Sequence, residues 1–229
     1  MPETARSIWL RRERSGRGPV PEYGRDRIAA AAMEIADADG LEGLSTRKVA
    51  AAIGAGATSL YRYVESRDEL LELMVDAAVG ELDLTAPGRG DWRGDLVALA
   101  QRLRVLYRRH PWLLDLAQGQ LPMTPSSVAF LECALATLAE VPAPGGAKME
   151  AVALTVGLTM QLTRLELSAG RSSKAWQAAQ VEYLTAVVAE GRHPHLAAVV
   201  AEPAGGSEGE MLERILPRVV AGVLEAPPA

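Results

Sequence analysis

Gly54 and Gly56 stand in a run that reads G-A-G-A-T-S-L-Y-R-Y-V-E-S-R-D-E-L-L from Gly54 to Leu71. A G-x-G pair can open a phosphate-cradling loop, but that chemistry needs a preceding strand and a third glycine, or the lysine of a P-loop. Here an Ala-rich helical segment precedes, and Ser59 stands where a dinucleotide loop takes glycine or alanine. The same glycines suit the turn of a helix-turn-helix, which needs a small residue where its helices cross and a glycine between them. Ala50 and Gly54 are placed for that. Leu60 and Val64 are four apart and face inward, which turns Thr58, Ser59, Tyr61 and Arg62 outward. A merely solvated face would present the same residue types.

Other reactive side chains are sparse. Cys133 is the only cysteine, so no intramolecular disulfide forms and a reducing compartment is expected. His193-Pro194-His195 lacks helical ligand spacing and has no carboxylate or thiol cluster beside it, so no metal and no cofactor are expected. His110, next to Pro111, suits a helix C-terminus, where its charge meets the dipole. No nucleophile–base spacing stands out, which argues against an enzyme. Thr155, Thr159 and Thr163 stand four apart on an otherwise apolar helix. Their hydroxyls serve either a ligand pocket or their own helix carbonyls. Leu103, Tyr107, His110, Met123 and Phe130 are the candidate remaining walls, or else plain core.

The elements that must position these groups are helical. Apolar residues make up 48% of the 229 residues, aromatics only 4%, and Ala and Leu fill most of the apolar positions, which favours an all-α fold. Residues 1–24, with Arg6, Arg11, Arg12, Arg14 and Arg17 among glycines and prolines, read as a flexible arm. Helices are expected over 27–39, 46–53, 57–64 and 67–82, with N-caps at Ser45 and Ser66, a capping box from Ser66 to Glu69, and stops at Gly40 and Gly54. Thr85 to Gly90 is a breaker-rich connection.

Beyond it, Trp92, Leu96, Leu99, Leu103 and Leu106 mark a helix over 91–109 that Pro111 ends. Further helices are expected over 111–119, 125–140 (burying Val128, Leu131, Leu135 and Leu138), 147–169 and 173–190. A last helix, opened by a Ser207–Glu210 capping box, carries Leu212, Ile215, Leu216, Val219, Val220 and Val223; Pro217 should bend or restart it. With Leu154, Leu158, Leu162 and Leu165 that stripe is wide enough for a homodimer interface. No run approaches a membrane span, and residues 1–21 hold no apolar signal core, so a soluble cytoplasmic chain is expected. Charge is uneven: residues 1–67 sum to +2 and residues 68–229 to −7, so only the front could meet a nucleic acid.

Leu44 to Leu71 joins a T-R-K-V-A helix, a glycine turn, S-L-Y-R-Y-V and an S-R-D-E-L-L helix opening. It resembles the DNA-binding region of the tetracycline-repressor (TetR) family, and R-H-P-W-L (Arg109 to Leu113) with T-P-S-S-V-A-F-L-E-C-A-L (Thr124 to Leu135) is similar to that family's C-terminal domain. The resemblance implies a helix-turn-helix head over 25–82, built of three or four helices with the fourth as connector, and a larger helical effector-binding and dimerisation domain over 83–229. It implies that Ala57, Thr58 and Ser59 lie over base edges and that Arg47 reaches a guanine. Tyr61, Tyr63 and Arg67 would hold phosphates, and Thr46, Lys48 and Arg62 complete the DNA-facing set. Arg62 departs from the family pattern, where a bulky aromatic is common. The implied partners are a double-stranded DNA operator, a hydrophobic or amphipathic small-molecule effector, and a second copy of the chain. The implied function is a ligand-responsive regulator, a repressor released from a palindromic operator. The alternatives are an interaction adaptor that has lost DNA binding, and a helical enzyme. The arginine-rich arm is expected to enter a minor groove.

Overall fold

The structure, a computed structural model, describes residues 7–11, 24–85, 90–116, 122–171, 173–202 and 208–225. Eleven α-helices run through the described residues, which contain no strand. The first four form a head: α1 (Arg25–Gly43), α2 (Thr46–Ala52), α3 (Ala57–Leu60) and α4 (Arg67–Val79). The other seven are α5 (Trp92–Arg109), α6 (Trp112–Leu116), α7 (Pro125–Thr137), α8 (Gly145–Arg171), α9 (Lys174–Ala189), α10 (Pro194–Val200) and α11 (Glu208–Leu224). None of the described helices is long and apolar enough to cross a membrane.

Small residues let the head pack closely. Ile28, Ala29, Ala32, Met33 and Ala36 of α1 are buried, as are Leu70, Leu73, Met74 and Ala78 of α4, the helix that α1 packs against. Gly40 breaks α1 at φ 71°, where the sequence places its stop. Ser66 accepts the Glu69 amide at 3.1 Å, while the Glu69 carboxylate takes the Glu65 amide at 2.7 Å, one residue before the partner expected of a capping box.

In the body, α5 is the central helix, packing against α7, α8 and α11 through Leu96, Leu99, Leu103 and Leu106. Leu212, Leu216, Val220 and Leu224 of α11 recur every four residues and are buried within the chain. Half of the stripe expected to meet a partner is therefore core, and Ile215, Val219 and Val223 keep the exposure. Pro217 lies inside α11, which continues through it as one element. Glu213, whose carbonyl loses its partner there, is exposed, so water can replace the bond.

Three other expectations change. Val128 is 51% exposed, because α7 buries the i, i+4, i+8 stripe Phe130, Ala134 and Leu138 instead. α3 is one turn long, with Tyr61 to Tyr63 in a turn behind it. Within the arm, Ile8–Leu10 forms a single 3-10 turn with Ile8 in the core, and Arg11 pairs with Glu65 and Glu69, both at 2.5 Å. Residues 1–6 and 12–23 of the arm, 86–89 of the connection, 117–121 of the segment after Pro111 and Ser207 of the second capping box lie outside the described residues. Finally, α9 and α10 bury no side chain and pack chiefly on each other.

Glu166 of α8 receives Arg104 at 2.7 Å and also pairs with Arg108, which ties α8 to α5. Burial raises its carboxyl, but the hydrogen bonds from Arg108 and Arg104 outweigh this and hold it below the ordinary range. The tie is therefore intact above the usual glutamate value, about 4.3, and is lost as pH falls through the depressed one. Glu166→Gln should flatten the acid limb of a thermal-midpoint-versus-pH curve. An unchanged acid limb would show that the cluster contributes nothing.

Candidate nucleic-acid interface

The turn between α2 and α3 is a Schellman motif. Gly54 N–H donates to the Ala51 carbonyl at 3.1 Å and Ala55 N–H to the Ala50 carbonyl at 2.8 Å. Gly54 takes φ 76°, the left-handed conformation this closure requires. Ser45 caps the other end of α2 by accepting the Lys48 amide at 3.2 Å. Beneath the turn, Val49, Ala50, Ile53, Leu60 and Val64 are all buried, so the inward set read from the sequence is the observed one.

The outward set is mostly open. Arg47, Thr58 and Arg62 are exposed, Ser59 is half-buried, and Tyr61 is 52% exposed. Tyr63 is half-buried against the core. The Thr46 and Tyr61 hydroxyls lie 3.5 Å apart, which places the start of α2 beside the end of α3. Lys48 pairs with Asp39 at 3.1 Å across an exposed surface, a tie worth at most about 1 kcal/mol. Ala57 supplies the first residue of α3, which no side chain caps.

Arg67, expected at a phosphate, also makes contacts within the head. Its guanidinium donates to the Leu44 carbonyl at 2.9 Å and the Leu41 carbonyl at 2.8 Å, closing the end of α1 from the start of α4. Both terminal nitrogens are thus engaged by carbonyls of the head itself. Arg27 reaches the Ile53 carbonyl in the same way, at 3.3 Å. Such arginine-to-carbonyl brackets carry no sequence signature, because they join residues more than twenty positions apart.

The candidate ligand-binding residues differ in exposure. Leu103, Tyr107 and Phe130 are buried core, and burial pushes the Tyr107 phenol up. Met123 is 67% exposed. Thr155, Thr159 and Thr163 are fully buried, and each hydroxyl donates to the carbonyl four residues back, on Ala151, Thr155 and Thr159, at 2.7 to 2.8 Å. Of the two readings the sequence left open, the hydroxyl protons follow the bland one. His110 does cap α5, but it also sits against the head. It lines a cleft of about 650 Å³ between α1, α4, α5 and α7, with Met33, Asp37, Leu73, Asp76 and Glu81.

A glycine-turned pair of short helices, buttressed by two longer ones and carried on a helical body, is the architecture of a helix-turn-helix regulator. Residues 28–74 match the model for bacterial regulatory proteins of the tetR family, and residues 84–226 the tetracyclin repressor-like C-terminal domain. The chain belongs to the TetR family of DNA-binding transcriptional regulators. It is 37% identical over 204 residues to the HTH-type transcriptional repressor DrrR1 of Streptomyces coeruleorubidus, which covers 86% of this chain and 76% of the relative. It is 38% identical over 133 residues to an HTH-type transcriptional regulator of Saccharopolyspora erythraea, covering 58% of this chain and 56% of that protein. ActR of Streptomyces coelicolor, solved in complex with (S)-DNPA, superposes with a TM-score of 0.75 at 26% identity, over 90% of this chain and 98% of ActR. Its apo structure gives 0.77 at 24% identity, over 90% and 97%, a likeness of fold.

A Cβ at Gly54 would meet nothing within 4 Å, so Gly54→Ala isolates the backbone cost of the left-handed turn. It should destabilise the protein by about 1–2 kcal/mol in denaturant unfolding. Arg67→Ala should cost about 1 kcal/mol per lost carbonyl bond. A wild-type unfolding midpoint in Arg67→Ala would refute the bracket.

Proposed function

We propose that this regulator is a dimeric repressor that binds a palindromic operator through residues 25–82 and leaves it when a small molecule engages the domain over 83–229. The observation that carries this reading is the exposed set Arg47, Thr58, Tyr61 and Arg62 on a turn whose inward residues are all buried. In this reading Arg47 forks to a guanine edge, Ala57, Thr58 and Ser59 face bases, and Thr46, Lys48, Tyr61, Arg62 and Tyr63 hold phosphates. Lys48 gives up its weak pair with Asp39 to do so. Arg67 acts indirectly, by fixing the end of α1. The similarity to DrrR1, named a repressor, supports repression, and the ActR complex with (S)-DNPA supports an effector. An effector shifts the operator equilibrium only through its differential affinity for the two head geometries. Action on DNA fits a cytoplasmic chain.

Dimerisation follows from exposed apolar surface. Leu154 and Leu165 on α8, Val219 on α11, and Trp176, Val181 and Tyr183 on α9 are all exposed in one chain. A second copy covering α8, α9 and α11 together accounts for all of them through one two-fold interface. Operator half-sites about 34–36 Å apart would then match the two heads.

Binding to DNA flanking the protein's own gene should weaken linearly with the logarithm of salt concentration. Arg47→Ala should lose about 1–3 kcal/mol of discrimination at one base pair, whereas Tyr61→Phe should weaken all sequences alike. Failure to bind at any salt would favour the adaptor reading. Light scattering should give twice the chain mass, and Leu165→Glu with Trp176→Glu should return it to one. A wild-type monomer at micromolar concentration sinks the dimer.

A further inference from the structure

We propose that His110, in its doubly protonated form, is a proton-dependent clamp that fixes the head on the body and so sets which operator spacing the protein accepts. The proposal rests on the DNA-binding reading for its functional consequence, but the clamp itself is read from geometry. His110 ends α5, with its amide bonded to the Leu106 carbonyl at 2.8 Å, and its side chain is 3% exposed. Nδ1 lies 2.8 and 3.0 Å from the two carboxylate oxygens of Asp37 on α1. Nε2 lies 3.2 Å from the carboxylate of Glu81, just past α4. The same Asp37 also receives Trp112 Nε1 at 2.7 Å, so one head carboxylate is held by two body side chains.

A neutral imidazole has one N–H and one lone pair, and an ionised carboxylate only accepts. Both contacts are hydrogen bonds at once only when the ring carries both protons. In the neutral ring one nitrogen lone pair must face a carboxylate oxygen, and that side of the clamp turns repulsive. The charged groups around the ring are mostly acidic. Arg25, Asp26, Glu34 and Asp37 from α1, Asp76 and Glu81 from α4 and its end, and Arg109 from α5 line the cleft beside it. Five of these are carboxylates against two guanidiniums, and Arg109 is already paired with Glu81 at 2.9 Å. α6 and α7 contribute Trp112 and Ser126, which carry no charge. The carbonyl end of α5 adds its dipole in the same sense. The clamp is closed while the ring carries both protons and opens when one of them is lost.

The recognition surface does not depend on this contact, since the Gly54 turn and the burial of Leu60 and Val64 lie elsewhere in the head. An open clamp therefore leaves each head able to bind while loosening the angle at which the body presents it. The clamp is also in reach of the body's other end. α6 begins two residues after His110, and Arg164 of α8 donates to the Leu114 carbonyl within it.

The test uses the full-length protein and a palindromic operator selected by it from random DNA at low pH, with spacers lengthened by one or two base pairs. Affinities for the selected and altered spacings are measured between about pH 5 and 8, the range in which imidazole changes charge. Wild type should prefer the selected spacing at low pH and lose about tenfold of that preference as pH rises, the equivalent of one charged hydrogen bond. His110→Gln, which cannot titrate, should show a weak preference that is flat with pH, and its affinity for an isolated half-site should match wild type. Asp37→Asn, whose amide both donates and accepts, should likewise flatten the profile. Parallel pH profiles for wild type and His110→Gln would overturn the clamp. Without DNA, the ring-nitrogen shifts of His110, assigned by their absence in His110→Gln, should show two N–H groups at low pH and the loss of one as pH rises. A ring with a single N–H throughout also overturns it. If no DNA is bound at any pH while these shifts behave as expected, the regulatory reading fails and the clamp stands.

Discussion

A recognition helix of four residues cannot hold its own shape. One turn has nothing to repay the cost of nucleation, so α3 exists only where its surroundings force it. Those surroundings are specific. The Schellman closure at Gly54 sets the angle at which the chain leaves α2, Leu60 and Val64 anchor the two ends of the turn in the core, and Ser66 caps the next helix immediately. The small side chains Ala29, Ala32 and Ala36 serve the same end, since they let α1 pack closely on α4 and make a rigid base for so short an element. The exposed positions on α2 and α3 are cheap to vary because they carry little of the packing, and even the Lys48–Asp39 tie is weak. The buried ones are not.

Directional contacts join the head to the body alongside the apolar core that the two share. Asp76 of α4 accepts the Ser126 amide at the start of α7 at 2.7 Å. Arg102 of α5 takes the Asp83 and Thr85 carbonyls, at 2.5 and 2.8 Å, where the chain leaves the head. Asp37 holds His110 and Trp112. Apolar contact is non-directional and tolerates sliding, whereas a charged hydrogen bond weakens steeply with misalignment. In the clamp proposed above, a joint of this kind holds the head at a defined angle until one polar group loses its partner. That is a useful property where function requires two head geometries of similar free energy.

Helices, caps and the glycine turn were legible because they are local: Ser45, Ser66 and Gly54 act on residues within a few positions of themselves. What escaped depends on distant residues. Nothing near Arg67 says that its guanidinium will close α1, and nothing near Val128 says that α7 will present Phe130 and Ala134 instead. The α11 stripe is legible as apolar, but the sequence cannot divide it between the inside of one chain and the surface of two. Ile8 and Arg11 were hidden by the composition of the arm around them, whose arginines and glycines outweigh one short docked turn. The threonine stripe was ambiguous on its face, and only the positions of its hydroxyls separate the two readings.

The hairpin of α9 and α10 sharpens what a single chain can be. Its helices hold Trp176, Val181, Tyr183, Leu184, Leu196 and Val199 in the open, and neither buries a side chain. Ordering such a segment costs about 1–2 kcal/mol per residue in backbone entropy, and helix hydrogen bonds alone barely offset that in water. Burying a large apolar side chain returns about 1.5–3 kcal/mol, so covering only a few of these would tip the balance. In the dimer proposed above, the partner supplies that cover, and the order of the hairpin becomes a property of the assembly rather than of the chain. α8 runs almost directly into α9, and α8 also holds α6 through Arg164. In that proposed assembly, what steadies the hairpin would act on α8 as well, and through Arg164 on α6, which packs against α1.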